Sequence, residues 1–150
     1  MRLPNKIHFY MQNHLPDPQE LYNIANWSLF APEHMCCLWL SSFTLAAHLK
    51  EITNAFKEHW EIYGRSNVDM QLNSPQEVML TIQTRFKGIR RMMLYDFKKI
   101  RPLSSTQVVH NESRIWDNPK GVSNIIRLWI LNQEGGIFLD QNTKPAKPVP

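Results

Sequence analysis

Ser123-Asn124-Ile125-Ile126-Arg127-Leu128-Trp129-Ile130-Leu131-Asn132-Gln133-Glu134-Gly135-Gly136-Ile137-Phe138-Leu139-Asp140-Gln141-Asn142 is the stretch on which the reading of this chain turns. Val122 to Glu134 has the apolar spacing of a helix, and Gly135 can end it in a left-handed turn. A strand, Ile137 to Asp140, follows at once. Asn124 and Arg127 are three apart and share a helix face. Arg127 stands amid Ile125, Ile126, Leu128, Trp129, Ile130 and Leu131, a costly setting for a charge. Its guanidinium is therefore expected to meet an anion, either a protein carboxylate or a ligand. Strand alternation puts Phe138 and Asp140 on one side, with Asp140 at the carboxyl end, where ligands bind in an open α/β sheet. By themselves these residues fit an internal Arg–Asp pair as well as a ligand site.

Outward from this stretch, the chain alternates strands and helices. Lys6 to Met11 reads as a first strand. In Leu15-Pro16-Asp17-Pro18-Gln19-Glu20, Asp17 can cap a helix, Pro18 suits its first position and Glu20 sits where a capping box wants a carboxylate. That helix is predicted to run to about Phe30, burying Leu21, Ile24, Ala25 and Ser28 or Leu29, and to stop at Ala31-Pro32. Met35 to Leu40 is short and continuously apolar, as a strand covered on both faces would be. Leu45, Leu49, Ile52, Phe56, His59 and Tyr63 predict a helix over 44–63, closed by Gly64. Val68, Met70 and Leu72 alternate as in a short strand. Ser74-Pro75-Gln76-Glu77 repeats the cap, proline and carboxylate pattern, predicting a helix that buries Val78, Ile82, Phe86, Ile89, Met93 and Phe97. Residues 101–120 read as irregular, with a strand at Gln107-Val108-Val109. The order is α/β.

Composition bounds the function. At 150 residues, 43% hydrophobic and 20% charged, the chain suits one domain, or part of a larger one, with a real core rather than a disordered segment. Its longest apolar run, Met35 to Leu40, is far short of the roughly 20 residues of a membrane helix. No secretory signal is seen near the first residues. The expected location is the cytoplasm, or export into a host cell without such a signal, as for a bacterial effector. Cys36 and Cys37 are adjacent and read as buried strand thiols rather than a disulfide or metal pair. His48 and His59, eleven apart, read as surface or satisfied core histidines. The net charge is +4, and Arg85, Lys87, Arg90, Arg91, Lys98, Lys99 and Arg101 crowd one segment with Asp96 as its only acid. This segment is either the solvated face of an amphipathic helix or a surface for phosphate, nucleic acid or anionic membrane. No RNA or DNA signature accompanies it, which disfavours nucleic acid.

Two ordered blocks resemble a known family. Ser-Asn-Ile-Ile-Arg followed by Gly-Gly-Ile-Phe-Leu-Asp-Gln-Asn-Thr-Lys-Pro resembles the sugar-binding DXD region of GT-A glycosyltransferases, whose pattern runs Ser-Asp-x-x-Arg, a helix, then Gly-Gly-x-Tyr-x-Asp-x-Asp and a proline. Pro4-Asn5-Lys6-Ile7-His8-Phe9, Asn23-Ile24-Ala25-Asn26-Trp27, Ala31-Pro32 and Leu38-Trp39 resemble the opening landmarks of the same family, which includes the glucosylating domain of large clostridial toxins. The likeness covers residues 4–40 and 121–148.

The resemblance implies a GT-A, Rossmann-like sheet with flanking helices. It also implies a nucleotide-sugar donor (usually UDP-linked), an acceptor that is a protein or glycan, transfer with retention and help from Mn²⁺ or Mg²⁺. By position, Asp140 would be the first acid of the motif and Asn142 would take the place of the metal-binding second acid. Arg127 would contact the donor as a catalytic residue beside Asp140. Asn124 would replace the acid that binds sugar hydroxyls, and Met11 the tryptophan that stacks on the base. Asn142 lacks charge, and Asn124 hydrogen-bonds without ionising. The chain stops ten residues after Asp140, so it is expected to be the amino-terminal, nucleotide-sugar-binding half of such an enzyme, without turnover on its own. A degenerate relative that binds without turnover, and a basic-helix module that docks on anionic membrane or nucleic acid, stay open beside it.

Overall fold

The computed structural model describes residues 5–11, 17–31, 33–62, 67–84, 88–100 and 119–139. These form a mixed α/β architecture: strands β1 (Lys6–Tyr10), β2 (Met35–Leu40), β3 (Asn67–Ser74), β4 (Glu77–Thr84), β5 (Gly88–Asp96) and β6 (Ile137–Phe138), with helices α1 (Pro18–Phe30), α2 (Ser42–Ile62) and α3 (Pro119–Glu134). The six strands make one sheet in the order β3-β4-β5-β2-β1-β6. β5, β2, β1 and β6 run parallel, and β3, β4 and β5 form an antiparallel meander at the other side.

Helices cover both faces. Ile7, Phe9, Cys36, Leu38, Leu80, Met92 and Leu94 face α1 and α2, whose Leu21, Ile24, Ile52, Phe56 and Trp60 complete the larger core. On the other face Tyr10, Cys37, Trp39, Met93 and Tyr95 meet Ile126 and Ile130 of α3. Successive residues of β1 and β2, and of β5 from Met92 to Tyr95, alternate between these two cores, because strand side chains alternate and both faces are covered there. β2 is accordingly apolar throughout.

The first helix forms as its sequence dictates. Asp17 Oδ1 accepts from the Gln19 amide at 2.8 Å, Pro18 opens the helix, and Leu21, Ile24, Ala25, Ser28 and Leu29 are buried. α2 buries Leu45, Ile52, Phe56 and His59 as its spacing predicts, and Trp60 as well. His59 is a core residue: its Nε2 donates to Asn26 Oδ1 at 2.6 Å and its ring stacks on Tyr22. His48 sits at the surface within ion-pair distance of Glu51. Cys36 and Cys37 are free and buried. Burial pushes both thiols up, Cys37 to about 12, so neither is a thiolate near neutral pH.

The helix expected after Ser74 is instead the β4–β5 hairpin. Val78 and Ile82 are four apart and suit either period, but Leu80 between them completes a strand alternation. All three are buried on one face. β-Branched Thr81, Ile82 and Thr84 add to the preference for a pleated surface. The cap chemistry of Ser74-Pro75-Gln76 serves a tight turn, with Ser74 Oγ accepting from the Gln76 amide at 3.2 Å. Glu77, expected to be a capping carboxylate, pairs with Lys99 and accepts from Asn73 Nδ2.

The basic segment is therefore not one helix face. Arg90 and Arg91 lie on β5, while Lys98 and Lys99 sit in the single 3-10 turn Phe97–Lys99. Lys99 is held by Glu77 and lies over the Tyr95 ring. A basic-helix docking module has no helix to rest on. Arg85, Lys87, Arg101 and the strand expected at 107–109 lie outside the described residues. No helix among the described residues is long and apolar enough to cross a membrane.

Candidate functional site

β1 is the pivot of the parallel strands. The chain leaves it through α1 to reach β2 on one side, and returns through α3 to β6 on the other. At such a reversal the loops diverge and leave a crevice beyond the carboxyl ends of the two central strands. Here those ends are Tyr10-Met11 of β1 and Phe138-Leu139 of β6, and Asp140 is the next residue. Asp140 and Asn142 themselves lie outside the described residues.

A glycine pair sets how β6 reaches β1. Gly135 (φ 70°) and Gly136 (φ 88°) both adopt the left-handed region. The Gly135 amide caps α3 by donating to Leu131 O at 2.9 Å, as the sequence predicts. A Cβ on Gly136 would lie 2.4 Å from the Lys6 carbonyl oxygen, so the close approach of the two backbones needs glycine. The Leu139 amide then donates to His8 O at 2.9 Å, continuing the ladder past β6.

His8 locks this junction from within. Trp39 Nε1 donates to His8 Nδ1 at 3.0 Å, and His8 Nε2 lies 2.9 Å from Gly135 O. Indole N–H only donates and a carbonyl only accepts, so His8 is neutral with its proton on Nε2. Its side chain is fully buried, and burial lowers its pKa below the ordinary 6.5. The ring stacks on Phe138, its register partner on β6. Sequence reasoning passed over His8 except as part of an opening strand; a polar residue amid Ile7, Phe9 and Tyr10 was the available signal.

Arg127 takes the next place in this column. Its guanidinium carbon lies 4.9 Å from the Phe138 ring centroid, over the face of a ring that its positive charge favours. Contrary to the expectation of burial, Arg127 is exposed: the apolar neighbours in sequence wrap around the helix, and Ile126 and Ile130 take the inward positions. The premise of an expensive buried charge falls. Asn124 lies within α3, one turn before Arg127. Met11, just beyond β1, is 2% exposed within the α1-side core, and its amide donates to Trp39 O at 3.1 Å.

The chain is similar to a structure titled PaToxG glycosyltransferase, with a TM-score of 0.55 and 16% identity, over 97% of this chain. The fold is glycosyltransferase-like. The chain spans 44% of that structure's length, so it matches less than half of it. No protein-family model matches the chain, and no curated protein matches it in sequence. The match therefore speaks to the arrangement of strands and helices, which at this identity is what such a likeness shows.

A second polar group stands at the carboxyl ends of β2 and β5. Asp96, buried, accepts from Ser42 Oγ at 2.8 Å and from the Lys98 amide at 2.9 Å. Ser41 Oγ donates to Thr44 Oγ1 at 2.8 Å and accepts from the Thr44 amide. These bonds start α2 and the 3-10 turn, and so brace the strand ends flanking the crevice. Among the described residues no three His, Cys, Asp or Glu side chains are grouped to hold a metal.

Proposed function

We propose that this chain forms the donor-binding part of a glycosyltransferase that moves a sugar from a nucleotide sugar, UDP-linked, to a protein or glycan acceptor with retention of configuration. The observation that carries the reading is the strand reversal at β1. It pairs β6, the strand that precedes Asp140 in the sequence, with β1, in a fold like that of a glycosyltransferase.

In this reading the donor lies across the ends of β1 and β6. Arg127 projects from α3 with no carboxylate partner among the described residues, and its planar fork suits diphosphate oxygens or sugar hydroxyls. Phe138 fixes the guanidinium from below. Asn124, a turn earlier on α3, would take the place that the resembling family gives to its sugar-binding acid. Asp140 supplies an ionised carboxylate and Asn142 a carbonyl oxygen, both hard oxygen donors of the kind that Mn²⁺ or Mg²⁺ prefers. Such an ion, when bound, offsets charge developing on the diphosphate leaving group. The His8 lock and the glycine pair hold the strand that leads to Asp140 at a set distance from β1.

Titration calorimetry with UDP and UDP-glucose tests this. Arg127→Ala should abolish donor binding yet leave stability within about 0.5 kcal/mol of the parent, since the side chain is exposed. Unchanged donor binding in the folded variant would remove Arg127 from the site. A second reading, donor binding without turnover, is favoured by Asn142 and Asn124, which stand where the resembling family has acids. Release of UDP from UDP-glucose or UDP-N-acetylglucosamine with Mn²⁺, lost on Asp140→Ala, separates the two.

A further inference from the structure

The amino ends of the same parallel strands carry a separate recess. Asn5 before β1, Glu33 and His34 before β2, and Ile89, Arg90 and Arg91 at the start of β5 line a cleft of about 270 Å³. β5, β2 and β1 are adjacent and parallel, so this cleft lies a strand's length from the donor crevice, roughly 17–20 Å. The lining thus includes two arginines and a histidine with one acid, Glu33; Arg90 and Arg91 are neighbours on β5 and leave it on opposite faces of the sheet. Neither arginine has an ion-pair partner among the described residues, and Glu33 pairs with neither. Arg90 spends one terminal N–H on its neighbour's carbonyl, Ile89 O, at 3.1 Å. Its Nε is shielded from solvent with no partner, as is His34 Nδ1. Polar groups left in that state are unfavourable until an acceptor or donor reaches them.

These features specify a ligand class. Each guanidinium offers a planar fork of N–H donors matched to carboxylate or phosphate oxygens. One carboxylate would satisfy one fork. A phosphoryl group carries close to two charges near neutral pH and three acceptor oxygens, enough for both. We infer that this cleft is a second anion site, which takes a phosphoryl group and is independent of the donor crevice. Reorientation of the Arg90 guanidinium onto the anion would relieve its unpartnered Nε. Two bases of the cationic segment thus acquire a role that no helix face explains. Ile89, 52% exposed at the rim, suits attachment of the phosphoryl group to an apolar body, and a soluble phosphate ester offers the same chemistry.

The test follows amide resonances of the full chain during titration with inorganic phosphate, and separately with UDP. Saturable shifts at Asn5, His34, Arg90 and Arg91 are expected. The double change Arg90→Gln and Arg91→Gln should weaken phosphate binding about tenfold or more and leave UDP binding as in the parent. Arg91 is exposed, so Arg91→Gln alone keeps the test usable if the double variant does not fold; it should still weaken binding several-fold. No saturation by about 20 mM phosphate, shifts centred elsewhere, or undiminished binding in Arg91→Gln overturns the assignment. Sedimentation with phosphatidylcholine vesicles, with and without phosphatidic acid, then identifies the source. Pelleting that needs phosphatidic acid and is competed by phosphate supports a lipid headgroup; phosphate binding without pelleting supports a soluble ester. UDP binding is read independently, so failure here and failure of the donor reading are distinguishable.

Discussion

Lowering the pH from about 7.5 to about 5.5 probes the β1–β6 junction through one side chain, His8. His8 is fully buried and neutral, accepting from Trp39 and donating to the Gly135 carbonyl. Burial, the largest influence, lowers its pKa from 6.5 in the folded chain. The unfolded chain takes up a proton below about 6.5 while the folded chain resists it. Stability from this group is therefore complete above that pH and is lost as the pH falls, until the folded pKa is reached. The loss is at most about 1.4 kcal/mol per pH unit. His59 is lowered by burial too and adds a slope of the same sign, so the His8 share must come from a difference. His8→Gln keeps a donor and an acceptor but does not titrate. It should cost about 1–3 kcal/mol near pH 7.5, through imperfect partners for Trp39 and Gly135. It should also remove up to about 1.4 kcal/mol of the difference between the two pH values. Urea unfolding followed by tryptophan fluorescence at both pH values measures this. An equal pH difference in parent and variant would refute the argument that His8 is held neutral by the fold.

Gly136→Ala should lower stability by about 2 kcal/mol or more, combining left-handed strain with the collision at the Lys6 carbonyl. It should weaken UDP binding as well, because β6 leads directly to Asp140; a melt and a calorimetric titration on one preparation would show both, and an unshifted melt would contradict the close approach. Asn142→Asp restores a carboxylate, so Mn²⁺ should bind more tightly and its coupling to UDP should rise; equal metal affinity in the two proteins would count against a metal role for position 142.

Much of the fold was legible because local chemistry and tertiary packing agree. Asp17-Pro18 and Ala31 bound α1, the continuous apolar run of β2 announces a strand covered on both faces, and Gly135 marks the end of α3. Where local signals served two structures equally, the sequence misled. Val78 and Ile82 satisfy both a helix and a strand, and a Ser-Pro turn can open either. Pairing with β3 and β5 decided between them, since hydrogen bonds to distant strands leave no trace in local periodicity.

The candidate site divides along the same line. Arg127, Asn124 and Asp140 could be picked out from residue types around a glycine pair, because a charge in an apolar segment and an acid at a strand end are chemical signals. Whether Arg127 is buried was a matter of helix rotation against the sheet, and α3 turns Ile126 and Ile130 inward instead. The bond between His8 and Gly135, 127 residues apart, and the cleft that gathers Asn5, His34 and Arg90 are products of strand order alone. Sequence by itself determined which segments are strands or helices wherever burial has one period. Tertiary structure decided which side chains meet, because the reversal at β1 brings together residues from opposite ends of the chain.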